Sequence, residues 1–266
     1  MGALYHEANA CTSAEVVVSD WMDRGLAYAE ACFETFRVIH GEVFGWEQHM
    51  SRLADGLACF GLALDAEGLA ALQSAVHGTA TGDDMLVRVT VSGGVSEWGL
   101  QRRASSLRIH VQSMPYIGSG TADLEAREWP FPPKPRPAKF TSDYAETLRA
   151  LATAGRREPL FTHAGNILCT ATANVLLYRQ GGWWTPAAGN GIVPGVIRGF
   201  LLQHGVREAV CPVEWLADCE AMLLCNSGSF LRPVVRIGEH QLNPGHTAIA
   251  ALRQPLRNQP GVPGSF

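Results

Sequence analysis

The chain has 266 residues, 47% hydrophobic and 17% charged, enough to bury a substantial core in one large or two modest domains. Its net charge of −4 gives no basic footprint for nucleic acid or anionic membranes, and no apolar run reaches the ~20 residues that span a bilayer. Residues Met1–Asp20 lack the cationic and then apolar pattern of a secretory leader, and seven cysteines without a CxxC pair point to reduced thiols in a cytoplasm.

In chain order, Val16–Val18 and Phe33–Val38 read as strands, and His40-Gly41 as a turn into Val43-Phe44. A helix is expected over Glu47–Phe60, with Met50, Leu53, Leu57 and Phe60 at helical spacing and Gly61 as its stop. A second helix, from Asp65 to about Val76, would bury Leu69, Leu72 and Val76. Strands at Leu86–Val91 and Leu107–Val111 flank a Gly-rich turn at Ser92–Gly99. The stretch from Trp129 to Pro137 carries five prolines in nine residues and is extended. We read an α/β protein of two lobes, with residues 1–112 and 123–266 joined by a linker at 113–122.

In the second lobe, Asp143-x-x-Glu146 reads as a capping box opening a helix to about Arg157. Ala173–Tyr178 and Trp183-Trp184 form a hairpin turned by Gln180-Gly181-Gly182, and an apolar helical stretch follows over Val196–His204. Further strands are expected at Ala209–Val213, Ala221–Cys225 and Val234–Ile237. The tail from Asn243, rich in Pro, Gly and polar residues, is expected to be only partly ordered.

Candidate chemistry starts from an unusual scarcity. Of 21 basic residues only Lys134 and Lys139 are lysines, so a reaction needing a side-chain primary amine has two candidates. Lys139 sits between the rigid proline run and an amphipathic helix, where it can be aimed into a cleft, and burial readily lowers a lysine pKa into the nucleophilic range. A solvated surface lysine is the plain alternative. Pro194-Gly195 precedes the Val196 helix, whose free first amides suit an anion such as phosphate, or form an ordinary loop-to-helix junction. Arg52, beside core-facing Leu53, either snorkels to solvent or reaches inward to a phosphate. Asn226-Ser227 ends an apolar strand, a place for ligand-facing groups or for turn residues. No GxSxG is present, and no His/Asp/Glu cluster has metal-ligand spacing.

The order of these features resembles one family. Asp23-Arg-Gly25, Phe33-Glu-Thr35-Phe-Arg37-Val and His49-x-x-Arg52-Leu open the series. Lys139 with Tyr144, Gly165-x-x-x-Cys169-x-x-x-Ala173-Asn174, Thr185-Pro186, Gly191-Ile-x-Pro-Gly195-x-x-Arg198 and Asn226-Ser227 with Arg232-Pro233-Val234 continue it. Together they are similar to the class IV aminotransferases, the fold-type IV pyridoxal-phosphate enzymes, over roughly residues 20–240. The resemblance implies two α/β lobes with pyridoxal 5'-phosphate in the cleft between them, an amino-acid-like small substrate and a homodimer. It implies that Lys139 holds the cofactor as a Schiff base and then carries protons as base and acid. Arg52, Ser227 and the amides of Val196 and Ile197 would hold the phosphate, and Tyr144 would contact the ring oxygen.

Three positions depart from the family pattern. The glutamate that pairs with the pyridine nitrogen is Cys169, a neutral thiol and a weak hydrogen-bond partner, so the electron sink is altered. The Thr/Ser-Arg-Gly turn reads Ser92-Gly93-Gly94, without the arginine often used for a substrate carboxylate. The early Gly-Asp-Gly is Ala29-Glu30-Ala31, and a phosphate-site threonine is Ile197. Length and the segment from Asn226 to Val234 look most like the branch that cleaves aminodeoxychorismate to 4-aminobenzoate and pyruvate for folate synthesis. An aminotransferase of branched-chain or D-amino acids is the alternative, as is a repurposed, non-catalytic member that binds a small ligand in the same cleft.

Overall fold

The structure is a computed structural model, and it describes residues 22–79, 84–101, 106–118, 120–153, 155, 157–189, 191–264 and 266. The strand expected at Val16–Val18 lies outside the described residues. In the first half, β1 (Met22–Asp23) and α1 (Arg24–Tyr28) lead into β2 (Ala31–Ile39), then α2 (Trp46–Cys59), α3 (Ala66–Gly78) and β3 (Asp84–Ser92). Next come β4 (Val95–Ser96), β5 (Arg108–Pro115) and β6 (Ala122–Glu128). The second half runs α4 (Asp143–Ala152), β7 (Glu158–His163), β8 (Asn166–Ile167), β9 (Asn174–Arg179), β10 (Gly182–Pro186) and α5 (Val196–Leu202). It closes with β11 (Arg207–Ala209), a 3-10 helix (Val213–Asp218), β12 (Ala221–Asn226), β13 (Phe230–Ile237), β14 (His240–Gln241) and α6 (Thr247–Arg257).

Two main sheets form. The smaller is antiparallel, in the order β2-β3-β5, and its register pairs Phe33 with Thr90, Thr35 with Arg88 and Arg37 with Leu86. Strict alternation follows from that register. Cys32, Phe36 and Val38 of β2, with Val87, Val89 and Val91 of β3, turn to a core shared with Leu53 and Leu57 of α2 and Leu72 and Val76 of α3. The odd residues of β2 and the even residues of β3 occupy the opposite face.

The larger sheet is nine-stranded and mixed, in the order β11-β10-β9-β12-β13-β6-β7-β8 with β14 beside β13. Its central strands β9 and β12 are apolar and buried on both faces, between a cluster containing Ile197, Leu201, Leu223 and Leu252 and one containing Leu160, Leu177, Met222 and Leu224. That is the pattern expected of strands covered on both sides.

Several local expectations are corrected. Leu69 is exposed, because α3 packs through Leu72 and Val76 and leaves its first turn in solvent. The capping box does not form: Ser142 is the N-cap without a side-chain bond, and Asp143 and Glu146 pair with Lys134 at 3.3 and 3.1 Å instead. The helix ends at Ala152, short of Arg157. The strand expected over Ala209–Val213 stops at Ala209, and after Pro212 the chain winds into the 3-10 helix. The tail is ordered as α6, which buries Ile249, Leu252 and Leu256 at spacings of three and four, with His246 Nδ1 accepting from the Ala248 amide. The hairpin at 180–182 is as expected, with Gln180 and Gly181 both at positive φ, the requirement of a tight two-residue turn.

Among the described residues no helix is long and apolar enough to cross a membrane, and no group of three His, Cys, Asp or Glu side chains is placed to hold a metal.

Candidate active site

The free edge of β2 gathers the site. Phe33 and Arg37 form non-hydrogen-bonded pairs with β3, so their amides point away from it. The Phe33 amide donates to the Lys139 carbonyl at 3.0 Å, and the Arg37 amide donates to the Ser227 carbonyl at 3.1 Å. A bridge between Cys32 and Phe140, with the Thr141 amide donating to the Ala31 carbonyl, extends the first attachment. Thus two segments 88 residues apart in sequence, at Lys139 and Ser227, are docked on one strand with Thr35 between them.

Lys139 is half-buried as a residue, yet its amine is enclosed by protein. Burial pushes its pKa down to about 8; Glu34 opposes this, and the charges of Arg52 and Arg88 reinforce it. Its Nζ lies 5.5 Å from the Phe33 ring centroid. Phe33 also stacks on Tyr144 in the first turn of α4, at 5.0 Å between centroids and 22° between planes. The Arg88 guanidinium lies over the Phe33 ring at 3.9 Å and 5.4 Å from that of Tyr144. Among the described residues its one hydrogen bond goes to Thr90 Oγ1 at 3.3 Å, and no carboxylate pairs with it.

Arg52 reaches inward. It projects from α2 into contact with Glu34, a carboxylate with no solvent exposure on the core face of β2. Arg52 Nε donates to Glu34 Oε1 at 2.8 Å, Nη2 donates to Oε2 at 2.7 Å, and Nη1 donates to the Pro194 carbonyl at 2.6 Å. His49, one turn earlier on α2, places Nδ1 2.7 Å from Glu34 Oε2. Burial raises the Glu34 pKa, but hydrogen bonds from Arg52 and His49 and the nearby Lys139 charge outweigh it and bring it down to about 2. Burial lowers the His49 pKa against the pull of Glu34, so the ring is neutral and Nδ1 carries the proton it donates.

The remaining expected residues divide. Val196 and Ile197 begin α5, and Gly195 before them is close to Asn174: a Cβ there would collide with Asn174 Oδ1. Asn174 Nδ2 donates to the Val193 carbonyl at 3.0 Å, which fixes the loop leading into α5. Gly45, at the start of α2, leaves room for Val196, so the beginnings of α2 and α5 meet. Ser227 is buried and is held by its carbonyl to Arg37. Its neighbour Asn226 is a turn residue, with Oδ1 accepting from the amides of Gly228 and Ser229. Cys169 faces a cavity lined by Trp129, Arg136, Glu146, Phe161 and Thr170 but not by Lys139. Burial pushes its thiol up to about 11, so it is neutral.

Glu34, His49 and Arg88 were quoted in motifs or strands without a role. The signal for Glu34 was present: with Cys32, Phe36 and Val38 on the apolar side of a strand, residue 34 must be buried, and a buried carboxylate requires cationic partners. His49 and Arg52, at i and i+3 on the facing helix, are those partners.

The antiparallel and the mixed sheet, joined along the edge of β2, have the fold of the fold-type IV pyridoxal-phosphate enzymes. Residues 31–237 match the family Amino-transferase class IV, and the chain belongs to it; the family's cofactor is pyridoxal 5'-phosphate. Among solved structures, a putative 4-amino-4-deoxychorismate lyase from Legionella pneumophila is similar at 22% identity, covering 92% of this chain and 96% of its own, with a TM-score of 0.76. The 4-amino-4-deoxychorismate lyase of Pseudomonas aeruginosa is similar at 24% identity, with the same coverages and a TM-score of 0.73. A branched-chain aminotransferase from Thermoproteus uzoniensis is similar at 19% identity, covering 88% of this chain and 87% of its own, with a TM-score of 0.76. No curated protein compared with the chain matches it.

Proposed function

We propose that this chain is a pyridoxal-phosphate-dependent lyase that converts aminodeoxychorismate to 4-aminobenzoate and pyruvate, the aromatic product serving folate synthesis. The carrying observation is the pairing of Lys139, with its pKa near 8, and Arg88, a guanidinium without a carboxylate partner among the described residues, around one aromatic ring. A nucleophilic amine beside a cation ready for a carboxylate suits a substrate that carries an amine and two carboxylates. The reading also draws on the activity named for two of the proteins similar in fold.

The residues fit the cofactor. Lys139 would be its attachment point, Arg52 and Ser227 with the amides of Val196 and Ile197 would hold its phosphate, and Tyr144 would contact its ring oxygen. When bound, the cofactor supplies an electron sink. With the cofactor bound, Lys139 would act as the base that takes the proton from the ring carbon bearing the amine, and would return a proton to the departing pyruvate enolate. The neighbouring carbon–oxygen bond would then break with its electron pair leaving on the pyruvate enolate, and the substrate ring would become aromatic. Arg88 holds a substrate carboxylate through both steps. Cys169 stands in the family glutamate's place as a neutral thiol. Aromatisation supplies driving force, so the weaker sink this leaves is better tolerated here than in transamination. The protein works as a homodimer, as the family resemblance implies.

The test is incubation of purified protein and pyridoxal phosphate with aminodeoxychorismate, following 4-aminobenzoate and pyruvate together. Equimolar release is expected. An untouched substrate, with amino-group exchange between amino and keto acids, overturns the lyase in favour of an aminotransferase. No turnover and no visible absorbance band with the cofactor identifies a repurposed member.

A further inference from the structure

The ion cluster under β2 is hard to justify as packing. Glu34, fully buried beside Cys32, Phe36 and Leu53, occupies a position that an aliphatic side chain would fill without cost. Replacing a buried ion pair by apolar residues is often neutral or stabilising, so stability alone does not account for it. Nor does simple attraction of phosphate, because an ionised carboxylate 2.7 Å from Arg52 repels an incoming anion.

What the cluster does supply is orientation. Arginine has five N–H donors in a rigid planar fork. Glu34 takes one from Nε and one from Nη2, and the Pro194 carbonyl takes one from Nη1. The guanidinium plane is therefore fixed; Nη2 also lies 3.5 Å from His49 Nδ1, which carries its own proton and does not accept, so one N–H is left on each terminal nitrogen. His49 supports the carboxylate from behind through Nδ1 and is itself fully buried, packed edge-on against Phe36 at 5.1 Å. Its Nε2 has no hydrogen-bond partner among the described residues, so the ring's one polar engagement there is with this cluster.

We infer that Glu34, braced by His49, is a positioning residue for the cofactor phosphate: it locks Arg52 so that the two remaining N–H groups are presented as a preformed fork. The inference rests on the reading that Arg52 takes the phosphate. Its value is preorganisation, since an arginine already immobilised loses no rotamer freedom when the anion arrives.

Position and charge predict opposite signs, which makes the test sharp. Dissociation constants are measured for pyridoxal phosphate and for phosphate-free pyridoxal on the full chain stripped of cofactor, by change in tryptophan fluorescence. Glu34→Gln removes a negative charge near the phosphate, yet it is expected to weaken pyridoxal phosphate binding by roughly tenfold or more, the scale of a charge-assisted hydrogen bond. Pyridoxal binding is expected to change by less than about twofold, since it lacks the group Arg52 contacts. His49→Asn, whose amide replaces the Nδ1 donor, should keep phosphate-dependent affinity, whereas His49→Ala should lose part of it. This second pair decides the matter if Glu34→Gln does not fold. Unchanged or tighter pyridoxal phosphate binding in Glu34→Gln, equal weakening of both ligands, or no difference between the two His49 variants overturns the inference. Arg52→Ala separates the two levels. If it leaves pyridoxal phosphate affinity intact, the phosphate reading itself is wrong; if it weakens affinity while Glu34→Gln does not, only the positioning role fails.

Discussion

The two sheets carry different kinds of residue. In the nine-stranded sheet, β12 buries Ala221 through Cys225 without a charged side chain, and β9 buries Asn174 through Leu177. The three-stranded sheet places Glu34 inside its core and Arg37 and Arg88 on its opposite face. Burying charge costs several kcal/mol per ion unless it is well paired, so the core of the small sheet accepts an electrostatic load that β9 and β12 do not carry, while the large sheet keeps its ion pairs, such as Arg232 with Glu158, on β13, β6 and β7. In the proposed reading the large sheet is scaffold, and the chemistry sits where its loops dock on the small one.

Substitutions on the two sides should therefore fail in different ways. The largest effect is expected at the contact itself: Lys139→Ala should abolish the visible absorbance band with pyridoxal phosphate and lower turnover by at least ~10²–10⁴-fold while the protein stays folded. In the wild type, the rate of cofactor capture should rise with pH and level off above about 8, where the amine is unprotonated. A rate still climbing steeply past that pH would contradict the burial of Lys139. On the scaffold side, Leu223→Ala, at a site with no exposure, should cost about 2–5 kcal/mol in urea unfolding without changing the KM of the surviving folded fraction. Arg88→Ala should do the reverse, lowering kcat/KM by roughly 10–100-fold through KM with little change in stability, and Arg88→Lys should recover part of it. If Arg88→Ala unfolds the protein instead, the division between scaffold and chemistry fails at that residue.

The smallest effect concerns acid. The folded pKa of Glu34 is depressed, so its contribution to stability is present above the unfolded carboxylate value of about 4.5 and is lost as pH falls from there toward about 2. Compared with Glu34→Gln, the wild type should show the steeper loss of urea midpoint across that window. Parallel curves would mean that the carboxylate is not held ionised by Arg52 and His49.

Much of the fold was legible because it follows from period and punctuation. β2, α2 and the β9–β10 hairpin matched alternation, helical spacing and a Gln-Gly-Gly turn to within a residue or two. Errors arose where tertiary partners override a local rule. Asp143 and Glu146 have the spacing of a cap but are drawn to Lys134 and Arg136 on the proline segment. The tail looked like a loop by composition, although Ile249, Leu252 and Leu256 already had the spacing of a buried helical stripe. Lys139 and Arg52 could be singled out by scarcity and motif order. Alternation with Val87, Val89 and Val91 puts Arg88 on the face away from the core, but its place over Phe33 and near Tyr144 depends on the register with β2 and on where α4 packs. Cys169 was legible as a departure, but the cavity it faces depends on how residues 129–136 fold back over it.

The attachment of the 139–141 segment to the edge of β2 also bears on how the protein matures. Lys139 and its anchor at Phe33 are more than a hundred residues apart, and such distant contacts form late, after the loop-closure entropy has been overcome. Until that docking the lysine is solvated, protonated at neutral pH and a poor nucleophile, with the ordinary value of 10.5 rather than about 8. On the proposed role of Lys139, the lowered pKa that makes its amine reactive comes with the docking of this segment. Refolding from urea in the presence of pyridoxal phosphate should show the visible band growing in step with final compaction and after most β-structure has returned. A misfolded chain would not be able to sequester the cofactor, so loading would act as an intrinsic checkpoint on assembly.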